Sequence, residues 1–131
     1  MERTSKHFRK RDAILACLRS TTCHPSADWV YAQLKPQIPD LSLGTVYRNL
    51  AYFKEQGLII SVGTVNGVER FDGNPEPHVH FVCTGCDAVV DLPQIAVPQE
   101  LTEEAAACAG ARITGCSLTF TGQCGQCNSL N

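Results

Sequence analysis

Residues 42–72 read SLGTVYRNLAYFKEQGLIISVGTVNGVERFD, and this stretch decides the fold of the first half of the chain. Ser42 is a good helix N-cap, and Val46, Leu50 and Phe53 recur at the spacing that lines one face of a helix running to Gln56. Gly57 stands where a helix C-terminus favours a residue that accepts positive φ. Residues 58–65 and 68–72 then flank Asn66-Gly67, the dipeptide best suited to a two-residue type I′ hairpin. A helix running directly into a hairpin predicts a recognition helix followed by a wing.

Working outward, residues 9–19 carry apolar side chains at Ile14, Leu15, Cys17 and Leu18 between charges, the pattern of a helix with one buried stripe. Ser26 caps a second, short helix over 27–34 that stops near Lys35-Pro36. Three helices and a hairpin make a winged helix-turn-helix domain over 1–73. Residues 73–77 (Gly-Asn-Pro-Glu-Pro) break regular structure, which places a hinge at 74–78. The remainder, 79–131, predicts a small α/β domain. It has short strands at 80–83 and 88–92, a helix over 99–109 and an alternating strand over 112–121. The fold class is therefore α+β. A rear domain under 60 residues is marginal alone, so it is expected to lean on a metal and on a dimer partner.

Charge separates the same two halves. Residues 1–73 hold 10 Lys and Arg against 7 Asp and Glu, whereas residues 74–131 hold 1 against 6. The front half thus suits either an anionic partner or an ordinary solvated basic face. No stretch is long and apolar enough to span a membrane, and residues 1–6 lead into more charge and not into an apolar signal core. A soluble, cytoplasmic protein with no membrane partner is expected, and in that reducing setting eight cysteines point to metal binding or thiol chemistry before disulfides.

Four of those cysteines form two CxxC pairs, Cys83/Cys86 and Cys124/Cys127. Each such turn brings two sulfurs within reach of one ion, and two turns complete the tetrahedral set of structural Zn²⁺. A redox dithiol is the competing reading. Cys17, Cys23, Cys108 and Cys116 have no comparable spacing and read mostly as small hydrophobes. On the third helix, Thr45, Tyr47, Arg48, Asn49 and Lys54 occupy the exposed face, where they can meet phosphates and, for Arg48 and Asn49, base edges in a major groove. Arg70 on the hairpin and Arg9, Lys10 and Arg11 are expected phosphate contacts. His78 and His80 stand two apart on a strand, so both imidazoles share a face; with Asp72 or Asp91 they suit Fe²⁺, Mn²⁺ or Zn²⁺. Spacing alone leaves a second metal site open.

The run 24–28 (His-Pro-Ser-Ala-Asp), then 44–50 (Gly-Thr-Val-Tyr-Arg-Asn-Leu), Arg70-Phe71-Asp72, 78–86 (His-Val-His-Phe-Val-Cys-Thr-Gly-Cys) and the closing Cys124/Cys127 pair together resemble the ferric uptake regulator superfamily over nearly the whole chain. The resemblance implies a homodimeric, metal-dependent transcription factor that binds double-stranded operator DNA through an N-terminal winged helix. It also implies a C-terminal dimerisation domain with structural zinc on the CxxC pairs. Within the superfamily the chain is most similar to peroxide-sensing repressors of the PerR type. The positions matching their regulatory Fe²⁺ or Mn²⁺ ligands are His24, Asp72, His78, His80 and Asp91. Iron-responsive members usually carry glutamate in place of Asp72 and Asp91, and their additional histidine site would fall on Pro77, Val79 and Cys116, which cannot rebuild it.

The resemblance further implies that iron-driven oxidation of His24 or His78 releases the metal and ends repression, so that the protein is a sensor and not an enzyme. Two other functions stay in view: an iron- or zinc-responsive uptake repressor of the same superfamily, and a CxxC thiol-disulfide protein. A bare zinc-ribbon interaction module is a third, and it leaves the helix-turn-helix without a purpose.

Overall fold

The structure is a computed structural model that describes residues 2–76 and 78–129, with side chains over 9–76 and 78–128. It divides into two compact units, Met1–Pro75 and Glu76–Asn131. Pro77, assigned above to the hinge and to the missing histidine site, lies outside the described residues.

The front unit runs α1 (Glu2–Arg19), α2 (Ala27–Leu34), α3 (Leu43–Glu55) and an antiparallel hairpin of β1 (Ile60–Val65) and β2 (Val68–Asp72). Helix α1 begins seven residues before the expected 9, because its early residues carry no apolar stripe for periodicity to register. Both N-caps form as expected, with Ser26 Oγ accepting from the Trp29 amide and Ser42 Oγ from the Thr45 amide, each at 3.1 Å. Gly57 takes φ +75, and the Leu58 amide closes back on Phe53 O at 2.9 Å, so α3 ends in a wrapped turn. Asn66 and Gly67 both have positive φ, 51 and 80, as a type I′ turn requires. Ile14 and Leu18 from α1, Val30 and Leu34 from α2, Val46, Leu50 and Phe53 from α3, and Ile59 and Phe71 near and in the hairpin form one buried core.

In the rear unit β3 (Val79–Cys83) is central. It pairs antiparallel with β4 (Val89–Leu92) and parallel with β5 (Thr119–Gly122), and α4 (Gln99–Ala109) lies between β4 and β5 in sequence. A short helix α5 (Gly125–Ser129), not anticipated from the sequence, follows β5. The strand expected over 112–121 is corrected: only its last three residues, with Gly122, are paired, and residues 112–118 have no regular structure. The reason is the partner. Thr119 lies opposite His80 and Leu118 O still accepts from the His80 amide at 3.2 Å, but residues 112–117 run past the start of β3 and find no ladder to join. Cys116 is therefore in an exposed irregular segment. Among the described residues no helix is long and apolar enough to cross a membrane.

Candidate metal centres and nucleic-acid face

The parallel pairing of β3 and β5 builds the first centre. Cys83 ends β3 opposite Gly122, so Cys124 emerges beside it, while the Cys83–Cys86 turn and α5 supply the other two thiols. The four Sγ atoms lie within 4.8 Å of one another, and Cys86 Sγ and Cys124 Sγ are 4.0 Å apart. Tetrahedral zinc with Zn–S bonds near 2.3 Å wants sulfurs about 3.8 Å apart, whereas a disulfide wants about 2.05 Å. None of the eight cysteines is in a disulfide. Amides of Gly85 and Cys124 donate to Cys83 Sγ, each at 3.3 Å, and the Cys127 amide donates to Cys124 Sγ at 3.4 Å.

These contacts split the thiols. The Cys124 amide, helped by other backbone donors, pulls Cys83 down to about 6. Sharing with Cys124 and then Cys83 pushes Cys127 up to about 12, and Cys86 is also raised, by Cys83 and by burial, despite the Ala88 amide. Four sulfurs this close ionise together only around a cation, which is the chemistry of a structural Zn²⁺ site, and the donor set fits it. Gly85 is obligatory here: a Cβ on it would sit 2.9 Å from Cys127 Sγ.

The remaining proposed ligands are placed half by half. In the front unit His24 is buried with φ 54, a left-handed conformation costing about 1–2 kcal/mol for a residue with a Cβ. Its Nε2 lies 3.1 Å from Asp72 Oδ2 at the end of β2, and Asp72 Oδ1 accepts from the Asn74 amide at 2.9 Å. Three successive carbonyls, of Cys23, His24 and Pro25, are taken up by β2. Arg70 Nη2 donates to Cys23 O at 2.7 Å, Arg70 Nε donates to His24 O, and the Phe71 amide donates to Pro25 O at 2.9 Å.

In the rear unit ligand atoms of His78, His80 and Asp91 lie within 4.8 Å of one another. His80 faces Asp91 across the β3–β4 ladder, and the two imidazole centroids are 4.3 Å apart. Asp91 Oδ1 is 2.8 Å from His78 Nε2 and 3.2 Å from His80 Nε2. His78 Nδ1 is 2.6 Å from Glu76 O, and a ring nitrogen facing a carbonyl must carry the proton. The neutral ring then turns the Nε2 lone pair toward a carboxylate, an arrangement that a second proton or a cation resolves. Imidazole nitrogen and carboxylate oxygen fit Fe²⁺, Mn²⁺ or Zn²⁺.

Of the residues expected to touch nucleic acid, Tyr47 and Arg48 are exposed on α3, and Thr45 is half-buried beside them, its Oγ1 bonded to Ser42 Oγ and Arg48 Nη2. Arg11 and Asn49 are engaged with each other: Arg11 Nε donates to Asn49 Oδ1 at 3.1 Å, its guanidinium stacks 4.2 Å above the Tyr52 ring, and Asn49 Nδ2 donates to Thr45 O. Arg70, on β2, is bonded to the Cys23–His24 loop. Sequence reasoning missed this framework role because the partners lie 38 and 46–47 residues away.

The sequence model described as the ferric uptake regulator family matches residues 2–121. A peroxide-responsive repressor PerR of Staphylococcus epidermidis is 35% identical over 96 residues, covering 72% of this chain and 64% of the relative; a Staphylococcus aureus repressor of the same name is 39% identical over 88 residues, covering 66% and 60%. The chain thus spans about three fifths of the length of the curated relatives it matches. Among solved structures, the Campylobacter jejuni peroxide stress regulator superposes with a TM-score of 0.81 at 30% identity, covering 96% of this chain and 94% of its own. The Francisella tularensis ferric uptake regulator, determined with iron, gives 0.73 at 26% identity with 90% of each chain covered.

Proposed function

The chain belongs to the ferric uptake regulator family, and from that premise we propose that it is a cytoplasmic, metal-dependent, DNA-binding transcriptional repressor that lets go of its operator in response to peroxide. The observation that carries the reading is the donor set: His24, His78 and His80 with two aspartates, Asp72 and Asp91, in a chain similar to named peroxide-responsive repressors. Neither half offers a complete ligand set. The front supplies one imidazole and one carboxylate and the rear two imidazoles and one carboxylate, and on this reading DNA affinity follows metal occupancy.

The ion, when bound as Fe²⁺, supplies the electron that splits peroxide; as Mn²⁺ it supports the same ligation with little of that chemistry. The rest belongs to the protein. Asp72 and Asp91 hold the rings of His24, His78 and His80 in place, and the Glu76 carbonyl fixes the proton of His78 on Nδ1, leaving Nε2 as the donor. His24 or His78 takes up the oxygen. An oxidised ring is a poorer ligand, the ligand set fails and the operator is released, which makes the molecule a sacrificial sensor and not a catalyst.

Thr45, Tyr47 and Arg48 form the face that meets DNA, and a second copy of the chain supplies the other half-site. Support for self-association is the aligned row Val90, Phe81 and Phe120 across the three rear strands, whose two flanking members are 46% and 47% exposed; α4, too, has no buried residue.

Mass spectrometry of the Fe²⁺-loaded protein after stoichiometric peroxide tests the reading. One added oxygen on His24 or His78, together with loss of operator binding, is expected. Oxidation confined to cysteines with ejection of zinc would replace it with a thiol-based response.

A further inference from the structure

Arg70 was expected at a phosphate, yet its guanidinium fork is spent inside the protein. It donates from Nη2 to Cys23 O and from Nε to His24 O, one residue before β2 sends the Phe71 amide to Pro25 O and two before it sends Asp72 to the His24 ring. Residues 70 and 72 are two apart on one strand and so address the same side. Strand β2 therefore grips His24 twice, by its backbone through Arg70 and by its ring through Asp72. The grip is needed because His24 sits at φ 54, a conformation a histidine holds only where its surroundings over-determine it.

We propose that Arg70 is a positioning residue for the regulatory metal, fastening the left-handed Cys23–His24 turn so that the His24 ring is held ready for the ion. The inference rests on the reading of His24 as a metal ligand. Lysine cannot replace arginine in this role: it keeps the charge but is a single point donor on a flexible stem, whereas the two carbonyls are matched by a planar fork. A phosphate contact, by contrast, largely tolerates lysine. This difference separates the two roles for Arg70.

The experiment compares the full-length zinc-loaded chain with Arg70→Lys, Arg70→Ala and His24→Ala, titrating Mn²⁺ without DNA by the electron paramagnetic resonance signal of the free ion, and measuring operator affinity at limiting and saturating Mn²⁺. Both Arg70 variants should bind Mn²⁺ about 10–100-fold more weakly, the range for loss of a group that orients a metal ligand. Saturating Mn²⁺ should restore operator binding with an unchanged salt dependence. If Arg70→Ala does not fold, Arg70→Lys alone decides the matter.

Unchanged Mn²⁺ affinity in Arg70→Lys, or operator binding that stays weak at saturating Mn²⁺ with a salt slope shallower by about one, would return Arg70 to the phosphate backbone. If His24→Ala itself leaves Mn²⁺ affinity intact, the ligand assignment fails first. If His24→Ala weakens Mn²⁺ and the Arg70 variants do not, only the positioning role fails.

Discussion

The two halves of this chain are stabilised by different physics. Among its described residues the front unit buries eleven hydrophobic side chains, from Ile14 to Phe71, in one core fed by all three helices and the hairpin. The described residues of the rear bury four, Val79, Val82, Cys83 and Val89, all on β3 and β4, and its main helix α4 buries none. A conventional core holds the front unit, while four thiols around β3 and α5 hold the other half. The lesson is that reliance on metal for folding can be confined to one half of a small chain: the front unit can keep its shape on apolar packing while the rear relies on coordination.

The largest effect expected from breaking this contrast is zinc removal. Structural zinc contributes apparent free energies of about 10–16 kcal/mol in small metal-held domains. Cys124→Ser should therefore abolish protection of the Val79–Cys83 amides in hydrogen exchange while the α3 amides stay protected; rear amides that remain protected without zinc would show the apolar core there to be sufficient. Next comes the front core. Leu50→Ala, at a site 1% exposed, should destabilise the front unit by about 2–5 kcal/mol. Zinc stoichiometry should stay at one per chain, and loss of zinc with that variant would show the halves to be one cooperative unit.

Smaller still are the local devices. Gly67→Ala at φ 80 should cost about 1–2 kcal/mol, read as a lower melting temperature of the front unit, and an unchanged melt would mean the type I′ turn adapts. Removing the α3 cap with Ser42→Ala should cost about 1 kcal/mol in the same measurement; a neutral result would show the Thr45 amide satisfied by water.

What could be read from sequence was what local rules govern. Ser26 and Ser42 cap their helices through the next few amides, Asn66-Gly67 closes a two-residue hairpin, and α4 runs from Gln99 to Ala109 as its periodicity and the following Gly110 indicate. The CxxC pairs announced a tetrathiolate site by spacing alone. Illegible features all depended on who stands opposite. Residues 112–117 alternate like a strand but have no strand to pair with, because β3 starts at Val79. Arg11, Asn49 and Arg70 look like free polar groups on a basic half until the fold brings them an amide oxygen, an aromatic ring or a pair of carbonyls. For the residues proposed to sense, spacing gave only the His78 and His80 pair. Asp72 and Asp91 entered only as carboxylates of suitable chemistry, and His24, 48 residues before Asp72, came from the family resemblance alone, since no periodicity links a loop to the end of a wing strand.

The parallel pairing of β3 with β5 has one more consequence. With Cys83 and Cys86 at one end and Cys124 and Cys127 at the other, the metal clips both ends of the segment that carries β4, α4 and the irregular 112–118 stretch. The entropy of closing such a loop rises only logarithmically, by about 0.6 kcal/mol for each doubling of its length. The intervening segment is thus nearly free to lengthen, shorten or change sequence without loosening the clip, so evolution can remodel that part of the rear half while the clip itself stays put.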